Sequence, residues 1–134
     1  TDPEYAAVGL TEDEARAQFD VAVVTIPYSE LDRAVIDDRT EGFFKLIVSQ
    51  ETHRVLGAHI VGEQAVEAVQ IVAAGMAAGM WVEQLAELEL AYPTFTAIVG
   101  LAARRVLRPL GVMPLADQWQ ALGSKLVAEW ERSG

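Results

Sequence analysis

Two glutamates, Glu63 and Glu67, are spaced one helical turn apart and could act together as a general acid and a general base. Glu67 lies within an otherwise apolar run, so the pattern predicts a buried carboxylate that needs a polar partner. Gln70, Lys45 or a group on another subunit could supply that partner. The alternative is that both acids mark the start of a helix, where the helix dipole favours negative charge. We favour this alternative.

The two histidines are the side chains whose ordinary pKa lies closest to neutrality. His59 alternates with Val55, Gly57 and Val61 in a strand pattern, which predicts a partly buried structural histidine. His53 is expected in a solvated turn. No third ligand is spaced near either histidine, so we predict no metal site.

The chain contains no cysteine. Its own residues can therefore form no disulfide, no thiolate nucleophile and no zinc–thiolate site. The absence fits the reducing cytoplasm, which is the location we expect. The sequence also contains no P-loop and no glycine motif of the dinucleotide-binding type, so we predict no cofactor bound by this chain alone.

Three arginines, Arg104, Arg105 and Arg108, cluster at the end of a predicted helix and could clamp a phosphate. Anions are usually bound at the opposite end of a helix. Positive charge at a helix C-terminus is favoured by the dipole, so we assign these side chains to the helix end rather than to a ligand.

The composition indicates one globular domain without a nucleic-acid or membrane partner. The 134 residues are 51% hydrophobic and carry a formal net charge of −10, which opposes binding to nucleic acid and to anionic membranes. The most apolar run, residues 65–82, contains Glu67 and is shorter than the roughly 20 mostly apolar residues of a spanning helix. The chain opens with Thr1 and without a targeting signal, so we expect a mature form or a fragment of a longer protein.

The order of apolar patterns predicts an α+β fold with an antiparallel β-sheet covered by α-helices. A hairpin is expected from two apolar runs, residues 42–48 and 55–62, which flank a polar turn. The other predicted strands are residues 6–10 and 21–28. The predicted helices are residues 11–18, 63–80, 82–89, 96–107 and 115–132.

Helix 63–80 carries apolar residues on most of its circumference, which is more apolar surface than one sheet can cover. One predicted stripe is formed by Ala65, Val69, Val72 and Met76. The other is formed by Ala68, Ile71, Gly75, Ala78 and Gly79. Two stripes predict two packing partners, namely the domain's own sheet and either another domain or a second subunit.

The last predicted helix has an apolar stripe formed by Leu115, Trp119, Leu122, Leu126 and Trp130. We assign residues 1–112 to the domain and residues 113–134 to an amphipathic helical extension. The stripe either packs back onto the body of the domain, which we favour, or forms a docking surface. The docking surface corresponds to a second functional hypothesis, a free-standing and non-catalytic protein-interaction module.

The stretch from Leu90 to Ala97 combines a helix breaker, a helix start signal and an aromatic side chain. Pro93 forces Tyr92 away from helical geometry, and the Thr94 hydroxyl can cap the following helix. Local chemistry alone predicts a loop between two helices.

Several motifs follow one another in a recognisable order. Residues 1–12 read TDPEYAAVGLTE, residues 42–48 read GFFKLIV and residues 55–67 read VLGAHIVGEQAVE, with Pro93 and Thr94 following without gaps. Their order and spacing resemble the C-terminal dimerisation domain of the FAD-dependent pyridine nucleotide–disulfide oxidoreductases, the family of lipoamide dehydrogenase, glutathione reductase and mercuric reductase. The resemblance covers residues 1–108.

This resemblance implies the fold of that dimerisation domain and a homodimer whose interface it largely forms. It also implies that FAD and nicotinamide domains precede this domain in the same polypeptide. FAD and NAD(P) are therefore expected in the parent enzyme and not in this chain. The second subunit becomes the expected partner of the doubly apolar helix 63–80.

The resemblance also shows a departure from the family's His-Pro-Thr-x-x-Glu segment. Tyr92 replaces the histidine that exchanges protons with a thiol in the partner's active site, and Ala97 replaces the glutamate that orients it. The resemblance implies that Tyr92 and Pro93 approach the partner's flavin, with Pro93 cis, and Tyr92 is the predicted catalytic residue. Because a phenol with a pKa of about 10 is a poor base at neutral pH, we expect a nucleotide, metal ion or quinone as electron acceptor ahead of a disulfide. The Tyr-Pro-Thr sequence itself resembles the soluble transhydrogenases.

Overall fold

The computed structural model describes residues 4–87 and 95–111, which form a four-stranded antiparallel sheet with helices packed against it. The strands are β1 (Glu4–Gly9), β2 (Val21–Pro27), β3 (Phe43–Ser49) and β4 (Val55–Gly62). The helices are α1 (Glu12–Gln18), α2 (Asp32–Ile36), α3 (Ala65–Ala77), α4 (Val82–Ala86) and α5 (Ile98–Val106), and a 3-10 turn covers Tyr28–Glu30. The predicted α+β class is confirmed, and the predicted hairpin corresponds to β3 and β4.

The strands lie in the order β1-β4-β3-β2, so the hairpin forms the centre of the sheet and β1 and β2 form its edges. The edge position of β2 agrees with its final residue, Pro27, because a proline cannot donate a hydrogen bond within a central strand. The pairing aligns Pro27, Phe43, Val61 and Tyr5 in one row across the sheet. The 3-10 turn starts at the end of the sheet that carries this row.

The main core lies between the inner face of the sheet and two helices. Helix α3 covers β1 and β4, and α5 covers β2 and β3. Alternate residues of each strand point to these helices, and in β3 they are Phe44, Leu46 and Val48, all fully buried. Full burial of an aliphatic side chain of this size stabilises the fold by about 1.5–3 kcal/mol.

Helix α1 packs on the opposite, outer face of the sheet. The hydroxyl of Thr11 accepts a hydrogen bond from the Glu14 backbone N–H at 3.2 Å, and the Glu14 carboxylate accepts one from the Thr11 N–H at 3.1 Å. This reciprocal pair is a capping box, as the sequence predicts. Ala15 is fully buried against Val21 and Ile47, so α1 covers the end of the outer face where β2 begins and β3 ends.

Helix α3 is shorter than the predicted helix 63–80 and has one buried stripe. It starts at Ala65 because Gln64 adopts a left-handed conformation with φ of 56°, and Gly79, with φ of 69°, follows its end. The predicted division into two stripes is wrong, because members of both share the face that meets the sheet, and the second packing partner stays a prediction. The buried residues are Ala65, Ala68, Val72 and Gly75. Val66, on another side of the helix, remains 43% exposed.

Within residues 4–87 and 95–111, no helix is long and apolar enough to cross a membrane. The predicted helix 115–132 and the division of the chain at residue 112 lie outside the described residues. Both stay predictions.

Candidate functional site

The predicted catalytic and cofactor-binding residues, Tyr92 and Pro93, belong to residues 88–94 and lie outside the described residues. The structure does describe both neighbours of that stretch. Helix α4 ends at Ala86 on one side, and Phe95 begins the approach to α5 on the other. These two flanks are therefore the parts of the candidate site whose contacts the structure defines.

Phe95 is the anchor of the flank that follows residues 88–94. Its side chain is 2% exposed, and its ring centroid lies 6.0 Å from that of Tyr28 with the planes tilted by 32°. A tilted aromatic pair at this separation contributes about 0.5–1.5 kcal/mol beyond the burial of the rings. Tyr92 precedes this anchor by three residues in the sequence.

Tyr28 is held in turn by the end of β4. Its side chain is fully buried, and its hydroxyl donates a hydrogen bond to the Glu63 carbonyl oxygen at 2.8 Å. Burial, and then the nearby carboxylates of Glu4 and Glu63, raise the pKa of this phenol far above its ordinary value. Tyr28 therefore remains a neutral hydrogen-bond donor and is structural rather than catalytic.

Gly62 makes the space in which the Tyr28 ring lies. Its φ is +148°, and a Cβ at this position would lie 2.6 Å from Tyr28 Cζ. A side chain at Gly62 is excluded both by the backbone conformation and by the ring. This glycine belongs to the VLGAHIVG motif of the sequence, so part of that motif serves to place Tyr28 and, through it, Phe95.

Arg104 connects α5 to the flank that precedes residues 88–94. Its guanidinium donates a hydrogen bond to the carbonyl oxygen of Ala86, the last residue of α4, at 3.3 Å. Gly100, one turn earlier in α5, leaves room for this group, because a Cβ on Gly100 would lie 3.1 Å from Arg104 Nη1. Burial lowers the pKa of the Arg104 guanidinium, which stays charged because arginine starts from a pKa above about 12.

The three arginines do not form a phosphate clamp. The Arg105 guanidinium lies 2.9 Å from the Glu30 carboxylate, whereas the Arg104 guanidinium donates to the Ala86 carbonyl oxygen of α4. The two guanidinium groups therefore bind different parts of the domain and do not converge on one site. Arg104 and Arg105 do occupy the last turn of α5, where positive charge suits the dipole as predicted. Arg108 is exposed in the turn after the helix.

Helix α5 starts at Ile98, two residues later than predicted. A tighter turn comes first, in which the Ile98 N–H donates to the Phe95 carbonyl oxygen at 3.3 Å. Ala97 is therefore the residue before the helix.

Glu63 and Glu67 do not form an acid–base pair. The left-handed Gln64 separates Glu63 from α3, so the helical spacing is lost, and Glu67 is exposed rather than buried. Lys45, one predicted partner of Glu67, instead contacts the Glu12 carboxylate at 3.1 Å on the outer face of the sheet. The favoured alternative holds for Glu67, which lies in the first turn of α3.

The histidines have different roles. His59 is partly buried and donates from Nε2 to the Leu10 carbonyl oxygen at 3.1 Å, which is the structural role that the sequence predicts. His53 lies in the hairpin turn as predicted, but it is partly buried rather than solvated. Its Nδ1 lies 2.9 Å from the Glu83 carboxylate, and its carbonyl oxygen accepts from the Val82 N–H. This pair joins the β3–β4 turn to α4, and no local pattern marks it because thirty positions separate its members.

The part of the chain that the structure describes contains no group of three acidic or histidine side chains able to hold a metal ion. The glycine turn before α3 does not form a phosphate cradle, because the Tyr28 ring fills the space beside Gly62 and Glu67 in the first helical turn would repel an anion.

An open, polar depression of about 350 Å³ lies between the end of α1 and the end of β3, lined in part by Arg16, Phe19, Asp20 and Ser49. Ser49 is six positions along β3 from Phe43, so the depression is about 20 Å from the end of the sheet where Tyr28 lies. It is therefore remote from the flank that Phe95 anchors.

Comparison with known proteins gives a consistent result. Residues 1–103 match the family described as pyridine nucleotide-disulphide oxidoreductase, dimerisation domain. The chain is 38% identical over 104 residues to a mercuric reductase of Lysinibacillus sphaericus, covering 77% of this chain and 19% of that protein. It is 40% identical over 104 residues to a dihydrolipoyl dehydrogenase of Vibrio cholerae, covering 77% of this chain and 22% of that protein. The chain spans about a fifth of the length of these curated relatives.

Solved structures contain the same fold. The HOCl-induced flavoprotein disulfide reductase RclA from Escherichia coli matches with a TM-score of 0.75 and 31% identity, covering 78% of this chain and 24% of that chain. A NAD-dependent persulfide reductase from A. fulgidus matches with a TM-score of 0.63 and 26% identity, covering 81% of this chain and 21% of that chain. The family match ends at residue 103, before the predicted C-terminal extension.

Proposed function

Because the chain belongs to the dimerisation-domain family of the pyridine nucleotide-disulphide oxidoreductases, we propose that it forms the homodimer interface of a larger FAD- and NAD(P)-dependent enzyme. In this proposal the FAD and nicotinamide domains belong to the same polypeptide. The stretch that contains Tyr92 and Pro93 is presented to the flavin site of the partner subunit.

The observation that carries the Tyr92 proposal is the burial of Phe95 against Tyr28. With Arg104 bonded to Ala86 on the other side, both ends of residues 88–94 are attached to the body of the domain. In this proposal, Tyr92 is presented from the same surface as these two flanks. A residue positioned in this way is suited to contact a partner that packs on that surface.

The chemistry of Tyr92 differs from that of the family's histidine. An ordinary tyrosine has a pKa of about 10 and is protonated at neutral pH. Tyr92 then donates a hydrogen bond at the partner's flavin site and does not withdraw a proton from a thiol. Ala97 has no polar side-chain atom with which to orient it. When bound, FAD would supply the electron transfer itself.

An acceptor that needs no thiol deprotonation is favoured by this chemistry. A nucleotide, a metal ion or a quinone fits a hydrogen-bond donor at position 92 better than a disulfide does. Assays of the intact polypeptide with lipoamide, glutathione disulfide and NAD(P) analogues distinguish these classes. Fast turnover of either disulfide would contradict the proposed preference.

The Tyr92 contact is tested in the intact polypeptide with its flavin bound. Tyr92→Phe removes only the phenol oxygen, so we expect a change in the visible absorption spectrum of the flavin without loss of the dimer. Tyr5→Phe is the matched control, because it removes the same phenol oxygen from a tyrosine that is 63% exposed on β1. Identical flavin spectra for the wild type and Tyr92→Phe would overturn the Tyr92 proposal and leave the dimerisation role intact.

A second variant tests the altered acid–base pair. The double substitution Tyr92→His with Ala97→Glu restores the family's two side chains. If only those two residues separate this protein from disulfide chemistry, the double variant gains turnover with a disulfide over the wild type. No gain, with the dimer and flavin retained, would show that other residues set the acceptor.

A further inference from the structure

His53, in the turn between β3 and β4, has a backbone conformation that a histidine rarely adopts. Its φ is 60°, in the left-handed region that glycine enters freely and that a residue with a Cβ disfavours. Such a conformation persists only where the surroundings compensate for it, and residues of this kind cluster at functional sites. At His53 the compensating contact is the one between its imidazole and Glu83 of α4.

The contact between His53 and Glu83 is a hydrogen bond of defined direction. Nδ1 of His53 lies 2.9 Å from a carboxylate oxygen of Glu83, and an ionised carboxylate only accepts, so Nδ1–H is the donor. Both side chains are partly buried, with exposures of 26% and 30%. A hydrogen bond to an ionised group is stronger than one between neutral groups, and partial burial limits the competition from water.

The carboxylate of Glu83 depends on this donor. Its second oxygen, Oε1, is buried, and no residue among 4–87 and 95–111 donates a hydrogen bond to it. Without the imidazole, neither oxygen would have a donor in that part of the chain. Keeping such a carboxylate out of water is unfavourable. We therefore expect Glu83 to turn towards solvent when the imidazole is removed, which loosens the first turn of α4.

Helix α4 has little stability of its own. It contains five residues, whereas an isolated helix shorter than about 12–15 residues is marginal in water. Trp81, the residue before its start, has no side-chain acceptor for the free N–H groups of the first turn. The Val82 N–H instead donates to the carbonyl oxygen of His53 at 2.9 Å. His53 therefore binds α4 through both its backbone and its side chain.

The two ends of α4 are attached to different parts of the domain. Glu83, in the first turn, is bound to the β3–β4 turn through His53, and Ala86, the last residue, accepts from Arg104 of α5. The chain then continues into residues 88–94. The position of the flank that precedes those residues therefore depends on both attachments.

We propose that His53 is a positioning residue of the candidate site, because its contact with Glu83 holds α4, and with it the flank that precedes residues 88–94, against the β3–β4 turn. The statement that this flank serves Tyr92 rests on the proposed function. The attachment of α4 to the turn does not rest on it, so the two are tested separately.

Three substitutions in the intact polypeptide isolate the effect of the imidazole. His53→Gly removes the imidazole and relieves the left-handed backbone. His53→Asn keeps a donor, because the asparagine amide nitrogen is bonded to Cγ as Nδ1 is, and asparagine tolerates the left-handed conformation. Asp38→Gly is the matched control, since Asp38 is also left-handed, with φ of 54°, and is exposed in the turn after α2.

Hydrogen exchange of peptides that cover α4 measures how firmly the helix is held. We expect the amides of Val82–Ala86 to exchange about tenfold faster in His53→Gly than in the wild type, because a hydrogen bond to a charged group is lost. His53→Asn should restore most of the protection, and Asp38→Gly should leave it unchanged. Peptides from β2 should exchange as in the wild type in all three variants.

The visible absorption spectrum of the bound flavin tests the connection to Tyr92. A contact that only stabilises the fold leaves this spectrum unchanged, whereas a contact that positions Tyr92 alters it. His53→Gly should therefore change the spectrum in the wild-type background and have a smaller effect in the Tyr92→Phe background.

Any of three results refutes the role of His53. They are exchange of α4 that His53→Gly does not accelerate, equal acceleration in α4 and β2, and a flavin spectrum that Tyr92→Phe alters and His53→Gly does not. If Tyr92→Phe itself leaves the spectrum unchanged, the Tyr92 contact of the proposed function fails. The exchange of α4 then decides alone whether His53 holds the helix.

Discussion

The rings of Tyr28 and Phe95 lie 6.0 Å apart in the core, and this contact fixes the residue that follows the Tyr92-Pro93 stretch. The Tyr28 ring is itself placed by Gly62, where a Cβ would lie 2.6 Å from the ring. Gly62, at the end of β4, therefore determines where the Tyr28 ring lies, and the Tyr28 ring in turn positions Phe95 beside the candidate site.

Tyr28→Phe should lower the free energy of unfolding by about 1–3 kcal/mol, because the part-buried Glu63 carbonyl oxygen loses its donor. Tyr28→Ala should cost about 3–5 kcal/mol, since it also leaves a cavity under Phe95. Urea unfolding followed by circular dichroism measures both. Tyr5→Phe, at an exposed position, should change the value by less than about 0.5 kcal/mol. Equal effects of Tyr5→Phe and Tyr28→Phe would contradict the role of the Glu63 bond.

Gly62→Ala should destabilise the domain by about 3 kcal/mol or more, because the new methyl group and the Tyr28 ring compete for one space. Gly111→Ala is the control, since Gly111 also has positive φ, +67°, but a Cβ there meets nothing within 4 Å. That control should cost about 1–2 kcal/mol, the penalty of a left-handed alanine. If the new methyl group clashes with the Tyr28 ring, Gly62→Ala lowers the free energy of unfolding less in a Tyr28→Ala background than in the wild type. Fully additive effects of the two substitutions would show that the methyl group and the ring do not clash.

Arg104→Met should weaken the attachment of α5 to α4 by about 1 kcal/mol, because the Ala86 carbonyl oxygen loses a charged donor. The adjacent Arg105→Met removes the exposed pair with Glu30 and should cost less than about 1 kcal/mol. The informative comparison is proteolysis between α4 and α5 under native conditions. Arg104→Met should accelerate cleavage there and Arg105→Met should not. Equal rates would show that Arg104 does not hold that flank.

The stability of the domain should fall in acid, in part through Glu12. Hydrogen bonds from Arg16 and then Lys45 hold the pKa of the Glu12 carboxyl below its ordinary value of 4.5. A carboxyl whose pKa is lowered by folding stabilises the protein above its unfolded pKa, and this contribution is lost as the pH falls through the folded pKa. Glu12→Gln should therefore reduce the loss of unfolding free energy between about pH 5 and pH 3. Glu41→Gln, which removes an exposed carboxylate before β3, is the control, and an identical slope for both would contradict the assignment.

The elements with strong local patterns were predictable from the sequence. The β3–β4 hairpin, the edge strand that ends at Pro27 and the capping box of Thr11 and Glu14 all follow from residues close together in the chain. Helix boundaries were less accurate. The start of α3 depends on the left-handed Gln64, and the start of α5 depends on the burial of Phe95. Neither feature can be recognised from the spacing of apolar residues.

The contacts that surround the candidate site were not predictable, because they join residues far apart in sequence. Phe95 packs on Tyr28 across 67 positions, and His53 meets Glu83 across thirty. For Glu67 the local pattern allowed two interpretations. The buried carboxylate is wrong, because Glu67 is exposed, and the favoured interpretation, an acid in the first turn of a helix, is confirmed. Gly62 offered the one useful signal, since a glycine at a strand end often marks a close approach.

The central claim is that this domain joins two copies of its parent enzyme, and sedimentation velocity of the intact polypeptide tests it most directly. The measurement is made over a wide range of protein concentration, with the flavin absorbance followed beside the protein absorbance. A dimer that carries flavin at every concentration is the predicted result. A monomer at every concentration would contradict the claim.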